Sequence, residues 1–548
     1  MATEEEAAAW ACFGDDDSED EAERAEQPQQ NEEDAERKQL QDRFQKAMNL
    51  SSKKESVVTL TQSKPAKQSD QNDHPQPTLR HLQQSIRSFI LQHKNNTCND
   101  LDQLDSPQDA RLRSILPTLL LSFLTDGCDH EKVLQEAGQV ETLTWDQLQD
   151  KGPEGGWKHV CWREAFVYSQ LIFATATLSL WAKTTEKEED KEEHERRSSA
   201  PLYKAIKCYD MACIMGGPAE LAHKGICLAE RLIESVNKAR NEESEKQYVD
   251  SAYIIPDTLP VCEEGEFNQN GYAKVPTLLH PILAVDAANM PFATFKENHY
   301  KQDQPVVIVG GAKHWPAFQK WNDLRPFVNR YGHRVVPIEI GLLSESGQFG
   351  GATAASHSSS KQTWYETTTT LKEFVEQFLV PSNSSPEVPQ VGYLAQHALF
   401  DQFPELKQDY AIPPYTNCGA LSNINAWLGT ANTVTSLHFD SYDNILVQIA
   451  GFKYIRLYST NQSKYLYTQE EDVNHEPSPS NGAASLDAQK NSTQCGNVEK
   501  VDVERFPLFE KAEYTECILG PGDMLFIPFK CWHYVRSLTT SFSASFWF

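Results

Sequence analysis

Two short stretches carry the residue types with the most chemistry to offer. One is Thr435-Ser436-Leu437-His438-Phe439-Asp440. The other begins at Gly520-Pro521-Gly522-Asp523 and runs through Pro528 to Trp532-His533. On an extended strand, residues two apart project from the same side, so His438 and Asp440 can offer an imidazole and a carboxylate together. His533 follows a turn-then-strand pattern that could bring it back beside them. Two imidazoles and one carboxylate on one face of a metal leave the opposite coordination positions open, and this donor set suits non-haem ferrous iron. His-x-Asp alone is a weak signal, because a histidine near an aspartate is more often an ordinary hydrogen-bonded pair.

The elements that would have to position these groups can be read around them. Ile445-Leu446-Val447-Gln448-Ile449 reads as a buried strand, Ala450-Gly451 as a turn, and Phe452 to Leu457 as the return strand. On that return strand Lys453, Ile455 and Leu457 share a face. A lysine beside two aliphatic side chains is costly to bury unless an anion meets it. Two alternatives stay open: its stem snorkels to solvent, or the face carrying Arg456 is the inner one. Upstream, Pro305–Val309 and Val335–Ile340 read as strands, Gly347–Lys361 as a loop, and Leu371–Leu379 as a short helix. Tyr467 to about Lys500 is rich in Ser, Asn, Glu and Pro and reads as a disordered surface loop interrupting the strands, with His475 and Cys495 as passengers.

Residues 77–238 follow helical periodicity. Leu79, Leu82, Ile86 and Phe89 mark one helix. Leu112, Ile115, Leu116, Leu119 and Phe123 mark another, which Pro117 is expected to bend or interrupt. Trp162–Trp181 is apolar almost all round and reads as a central helix. After the charged loop Thr184–Arg197, Leu202–Met215 is amphipathic, Gly216-Gly217 stops it, and Pro218 suits the first turn of the next helix. Such paired helices suggest a scaffold like a tetratricopeptide array without a clean repeat period. Residues 239–280 read as a linker lying over the following domain.

The chain of 548 residues is too long for one compact core. Its net charge of −28 excludes binding nucleic acid through bulk charge and favours basic proteins as partners. Residues 1–36 hold fifteen acidic side chains against Arg24 alone, which is half of that charge, and residues 1–76 read as a disordered acidic tail and linker. Twelve cysteines with no Cys-x-x-Cys pair argue for free thiols rather than a zinc ribbon or a disulfide framework. The apolar runs Ile115–Leu124 and Leu171–Ala182 are shorter than the ~20 residues a bilayer span needs, so no membrane association is expected.

Several motifs together carry a more specific resemblance. They are Gly392-Tyr393-Leu394-Ala395-Gln396-His397, Ile424-Asn425-Ala426-Trp427, His438-Phe439-Asp440, Asn444, Lys453, Pro528 to Val535, and Ser541 to Trp547. In these the chain resembles the Jumonji-C (JmjC) oxygenases, strongly over about 280–548. The resemblance implies an α+β protein: a double-stranded β-helix of the cupin type at 281–548, with the low-complexity insertion 468–500, preceded by the helical domain. It also implies Fe(II) at His438, Asp440 and His533, with 2-oxoglutarate and O2 as co-substrates. For 2-oxoglutarate it implies Lys453 as the cation, Thr435 and Tyr393 as hydroxyl donors, and Asn444 as an amide near the iron-side carboxylate. Glu339, Trp364, Gln396 and Trp427 fall where the family approaches a substrate cation, although each tryptophan also reads as a plain core aromatic. The expected reaction is hydroxylation of a protein side chain, with arginine C3 favoured and demethylation of methyl-lysine on a histone or other basic chromatin protein as the alternative. Nuclear residence is expected from the family. A redox-silent metal-binding scaffold and a histone-tail peptidase are the competing classes, and no convincing nucleophile pair supports the latter.

Overall fold

The apolar positions at three- and four-residue spacing do form helices in the computed structural model. It describes residues 78–101, 104, 106–149, 159–186, 198–239, 253–259, 275–342, 364–380, 390–468 and 492–548. The expected acidic tail, the loops Gly347–Lys361 and 187–197, most of the 239–280 linker and 469–491 of the insertion lie outside the described residues.

The helices are Leu79–Leu101, Pro107–Leu124, His130–Gln149, Val160–Glu186, Ala200–Ile214 and Ala219–Ala239. Ser106 opens the second with a reciprocal cap: its hydroxyl accepts from the Asp109 amide, and the Asp109 carboxylate accepts from the Ser106 amide. Pro117 sits inside this helix and does not interrupt it. Helix His130–Gln149 falls within the stretch of helical periodicity. Its buried Val133, Ala137, Val140, Leu143, Thr144 and Leu148 form one stripe at helical spacing. Val160–Lys183 is long and apolar enough to cross a membrane by length and composition, which corrects the reading of its apolar run as too short. It is also the core helix of this part, mostly buried. Gly216, at φ 84°, ends helix Ala200–Ile214 in the left-handed region that only glycine enters freely.

The strands are β1 (Ala284–Asp286), β2 (Val306–Val309), β3 (Val335–Leu342), β4 (Trp364–Thr370), β5 (Gln390–His397), β6 (Asn423–Gly429), β7 (Val434–His438), β8 (Asn444–Ala450), β9 (Lys453–Tyr458), β10 (Thr515–Leu519), β11 (Met524–Ile527), β12 (Trp532–Ser537) and β13 (Ser541–Trp547). They form a nine-stranded sheet, β1-β2-β11-β8-β13-β6-β5-β3-β4, and a four-stranded sheet, β10-β9-β12-β7. The two meet through an apolar layer that includes Val307, Leu446 and Leu525 from the large sheet and Ile455, Leu457, Leu519 and Val535 from the small one. That is the double-stranded β-helix expected, and with the helices ahead of it the chain is α+β.

Alternation along the large sheet decides what faces inward. Ile445, Val447 and Ile449 of β8 and Phe542, Ala544 and Phe546 of β13 pack on the outer side, against Trp315, Trp321 and Phe400. Their neighbours one residue away therefore point between the sheets.

The helical part docks onto the strands through a buried ion pair. Arg334, just before β3, donates to both carboxylate oxygens of Asp210 at 2.7–3.0 Å. The Val335 amide and the Gln402 side chain donate to the same carboxylate at 2.9 and 2.7 Å. Both ionic side chains are almost wholly buried, so every carboxylate lone pair has to be met, and these four donors meet them.

The insertion corrects a second expectation. Ser492 bridges to His438 and Thr493 to Thr468, the Leu437 amide donates to the Gly496 carbonyl, and Cys495 and Val498 join an apolar cluster with Leu437, Tyr454 and Tyr534. Residues 492–498 are thus packed on the free edge of β7. Composition hid this, because backbone pairing needs no particular side chain.

Candidate active site

His438 ends β7 and His533 lies near the start of β12. The two strands are antiparallel neighbours in which these residues stand directly opposite one another. Their rings are 4.1 Å apart between centroids. Asp440 follows β7 in a turn and brings its oxygens to 3.7 Å from His438 Nε2 and 3.6 Å from His533 Nε2. The donor atoms of all three lie within 4.8 Å of one another, and the 3.6 and 3.7 Å separations from the carboxylate are ones that an ion bonding each atom at ~2.1 Å spans. Each ring is turned by its other nitrogen. His438 Nδ1 donates to the Ser436 carbonyl at 2.8 Å and His533 Nδ1 to the Cys531 carbonyl at 3.0 Å. A carbonyl can only accept, so Nδ1 carries the proton and Nε2 keeps its lone pair for a metal. Burial and the adjacent His438 push the His533 pKa down to about 4, so this ring is neutral at pH 7, as a ligand must be.

A β-bulge sets the rest. Between the pairs His533–His438 and Val535–Thr435, β12 advances two residues while β7 advances three. The extra residue flips the parity of β7. Thr435 and His438, three apart, therefore share the inner face with Val535, while Leu437 faces outward into the cluster with Tyr454 and Tyr534.

Lys453 opens β9. Its neighbours Ile455 and Leu457 lie in the layer between the sheets, and Tyr454 and Tyr458 point to the other side, so the face left open by parity is the inner one. The ammonium group is buried, 3.4 Å from the Tyr393 hydroxyl and 5.5 and 6.0 Å from the ring centroids of Tyr393 and Trp427. Among the described residues no carboxylate pairs with it, and burial alone pulls its pKa down to about 7. Tyr393 hydrogen-bonds Thr435, and burial holds its phenol protonated. These three side chains, from β5, β7 and β9, form one polar pocket.

The surrounding wall is polar where a core would be greasy. Asn425, Trp427, Asn444, Ser543, Ser545 and Trp547 alternate with the outer apolar residues of β6, β8 and β13. Asn425 Nδ2, Asn444 Oδ1, Ser543 Oγ and Trp547 Nε1 are buried with no hydrogen-bond partner. Each such atom costs ~1–3 kcal/mol. An inner face with several of them, beside an unpaired buried ammonium, is built to hold something polar and anionic. The residues fit a ferrous ion with a chelating dicarboxylate.

The residues expected to meet substrate are distributed differently. Glu339 stands opposite Tyr393 on neighbouring strands, half-buried and on the same face. Gln396 lies in a β-bulge of β5 with φ 45°. Trp427 donates to Ser545 Oγ at 3.0 Å and its ring lies 6.0 Å from that of Tyr393, which puts it against the Lys453 pocket. Trp364 opens β4 opposite Gly341, and its side chain lies outside the described residues. Asn425, Ser543 and Trp547 were not singled out individually. The signal was the alternation Ser541-Phe542-Ser543-Ala544-Ser545-Phe546, small polar residues where a two-sided core strand would carry aliphatics.

A family profile described as a cupin-like domain matches residues 292–548. The chain is 31% identical to JmjC domain-containing protein F of Dictyostelium discoideum, over 84% of this chain and 97% of that protein. It is 37% identical to lysine-specific demethylase 8 of Danio rerio, over 79% of this chain and 92% of that protein. It is 39% identical to lysine-specific demethylase JMJ30 of Arabidopsis thaliana, over 75% of this chain and 85% of that protein.

Proposed function

The chain belongs to the cupin-like JmjC family of 2-oxoglutarate-dependent dioxygenases, and we propose that within this family it hydroxylates arginine side chains of protein substrates. Iron(II) held by His438, Asp440 and His533 would, with 2-oxoglutarate and O2, supply the oxidation that places one oxygen atom on a substrate carbon.

The chain's own residues do the positioning. Lys453 would hold the distal carboxylate of 2-oxoglutarate, with the Thr435 and Tyr393 hydroxyls as further donors, and Asn444 would offer its side-chain amide to the other carboxylate. The orphaned donors on β6 and β13 orient and desolvate what enters. The two Nδ1-to-carbonyl hydrogen bonds keep both imidazoles aimed.

Glu339 is the observation that carries the arginine reading. Its carboxylate shares a face with Tyr393 at the β3–β5 junction, and a carboxylate fixed on a strand suits the paired hydrogen bonds of a planar guanidinium. Demethylation of N-methyl-lysine is the second reading, supported by the names of the Danio and Arabidopsis relatives. A basic peptide of either kind also suits the charge of −28. The test is mass spectrometry of arginine- and methyl-lysine-bearing peptides incubated with enzyme, iron and 2-oxoglutarate. Gain of a single oxygen on arginine without formaldehyde supports hydroxylation. Loss of a methyl group with formaldehyde moves the assignment to demethylation. Nuclear residence is part of the same proposal, checked by imaging the tagged chain in cells.

A further inference from the structure

A second group of ligand-type side chains lies at the seam between the helical part and the strands. His223 and Cys227 are four residues apart on helix Ala219–Ala239, so they share one face. Glu405 reaches them from the short turn Pro404–Gln408 on the other side of the seam. Cys227 Sγ is 3.4 Å from His223 Nε2, and Glu405 Oε1 is 3.8 Å from the same nitrogen. The three donor atoms lie within 4.8 Å of one another.

Tetrahedral zinc, with Zn–S at ~2.3 Å and Zn–N or Zn–O at ~2.0–2.1 Å, sets sulfur and nitrogen ~3.5 Å apart and nitrogen and oxygen ~3.4 Å apart. One separation already matches, and the other closes by a few tenths of an ångström, which a glutamate side chain supplies. Two further atoms are buried without a hydrogen-bond partner, His223 Nδ1 and Glu405 Oε2. The ring would meet an ion through Nε2, so of these two atoms it is the Glu405 oxygen that an ion at this cluster could engage. Burial keeps His223 neutral and Cys227 protonated. The two arginines near the cluster are already met: Arg334 is held by Asp210, and Arg330 lies 3.9 Å from Glu405 Oε1 but 3.1 Å from Glu230, which also accepts from His333 at 3.1 Å.

We propose that His223, Cys227 and Glu405 form a binding site for a zinc-class divalent ion that staples the helical part to the catalytic strands, with water as fourth ligand. Thiolate and imidazole exclude calcium and magnesium. On binding, the metal–sulfur bond replaces the S–H bond, the proton passes to solvent, and no redox change occurs.

The test uses the full chain, stripped of metal with a chelator and titrated anaerobically with Co(II). Cobalt bound to a thiolate shows a charge-transfer absorption. His438, Asp440 and His533 contain no sulfur, so this band is blind to the catalytic site. The band is expected to saturate at about one equivalent per chain in Asp440→Ala, and by about two in wild type, where the triad also takes up cobalt without contributing to the band. Zinc should displace it, and Cys227→Ser should abolish it. Glu405→Gln, a change at a half-exposed side chain, should weaken cobalt binding about tenfold or more. Compared in the Asp440→Ala background, it should also reduce the rise in melting temperature that zinc gives. Absence of the band in wild type overturns the proposal. So does a band of undiminished strength in Cys227→Ser, or affinity unchanged in Glu405→Gln.

Discussion

Replacing Lys453 by methionine should make the protein more stable and its co-substrate site useless. The ammonium is buried without a counter-charge, and its pKa falls from the ordinary 10.5 to about 7. At ~1.4 kcal/mol per tenfold change, that fall corresponds to about 5 kcal/mol of penalty for carrying the charge in the folded apo-protein. The penalty is felt in full below about pH 7. Between about 7 and 10.5 the unfolded chain binds more protons at this site than the folded one, so stability rises with pH through that window. Methionine fills nearly the same volume with no charge, and Lys453→Met should raise apo-protein stability at pH 7 by about 1–4 kcal/mol. Binding moves the other way. A dicarboxylate supplies the missing partner, and removing the lysine should weaken 2-oxoglutarate by about thirtyfold or more, the lower end for deleting one member of a buried ion pair. Wild-type affinity should be flat below about pH 7 and then fall about tenfold per pH unit, because binding requires proton uptake. Urea denaturation without ligand, and calorimetric titration of 2-oxoglutarate with a redox-silent divalent ion at the triad, measure both. If Lys453→Met destabilises the apo-protein, or if wild-type affinity does not change between about pH 7 and 9, the lysine is not waiting for an anion and the assignment of the pocket is wrong.

Asp440→Ala removes the carboxylate shared by the two imidazoles and should abolish iron-dependent succinate formation while leaving the circular dichroism spectrum unchanged. Thr435→Ser keeps the hydroxyl beside Tyr393 and should leave the 2-oxoglutarate KM within about threefold, whereas Thr435→Val should raise it about tenfold, one lost hydrogen bond to a charged group; a larger rise in Thr435→Ser than in Thr435→Val would place the threonine's contribution in its methyl group. Asp210→Ala leaves Arg334 buried and unpaired and should cost about 3–5 kcal/mol in urea unfolding, unless the helical part unfolds separately, which two transitions would reveal. Gly451→Ala should cost about 1–3 kcal/mol, because the residue sits at φ 72° and a Cβ there would meet Thr539 Oγ1 at 2.7 Å.

Much of this was written locally. The spacing of His438 and Asp440, the strand–turn–strand around Gly451, the central helix and the cap at Pro218 all follow from residues within a few positions of one another, and short-range sterics and periodicity suffice to read them. The face of β9 that turns inward was not of that kind. Lys453 and Arg456 were equal candidates until β10 and β12 paired with β9 and the opposing sheet covered one side. The bulge that brings Thr435 round to join His438 is a property of the pair β7–β12, and neither strand's sequence contains it. The packing of 492–498 along β7 depends on backbone hydrogen bonds, which side-chain composition does not encode. The partnership of Asp210 with Arg334 joins residues 124 positions apart, as does the convergence of His223 and Cys227 with Glu405 across the same seam. Sequence determined which chemical groups were available and which local elements carried them. Only the folded chain decided which of those groups meet, because that choice is made by non-local pairing and by which surfaces water is forced to leave.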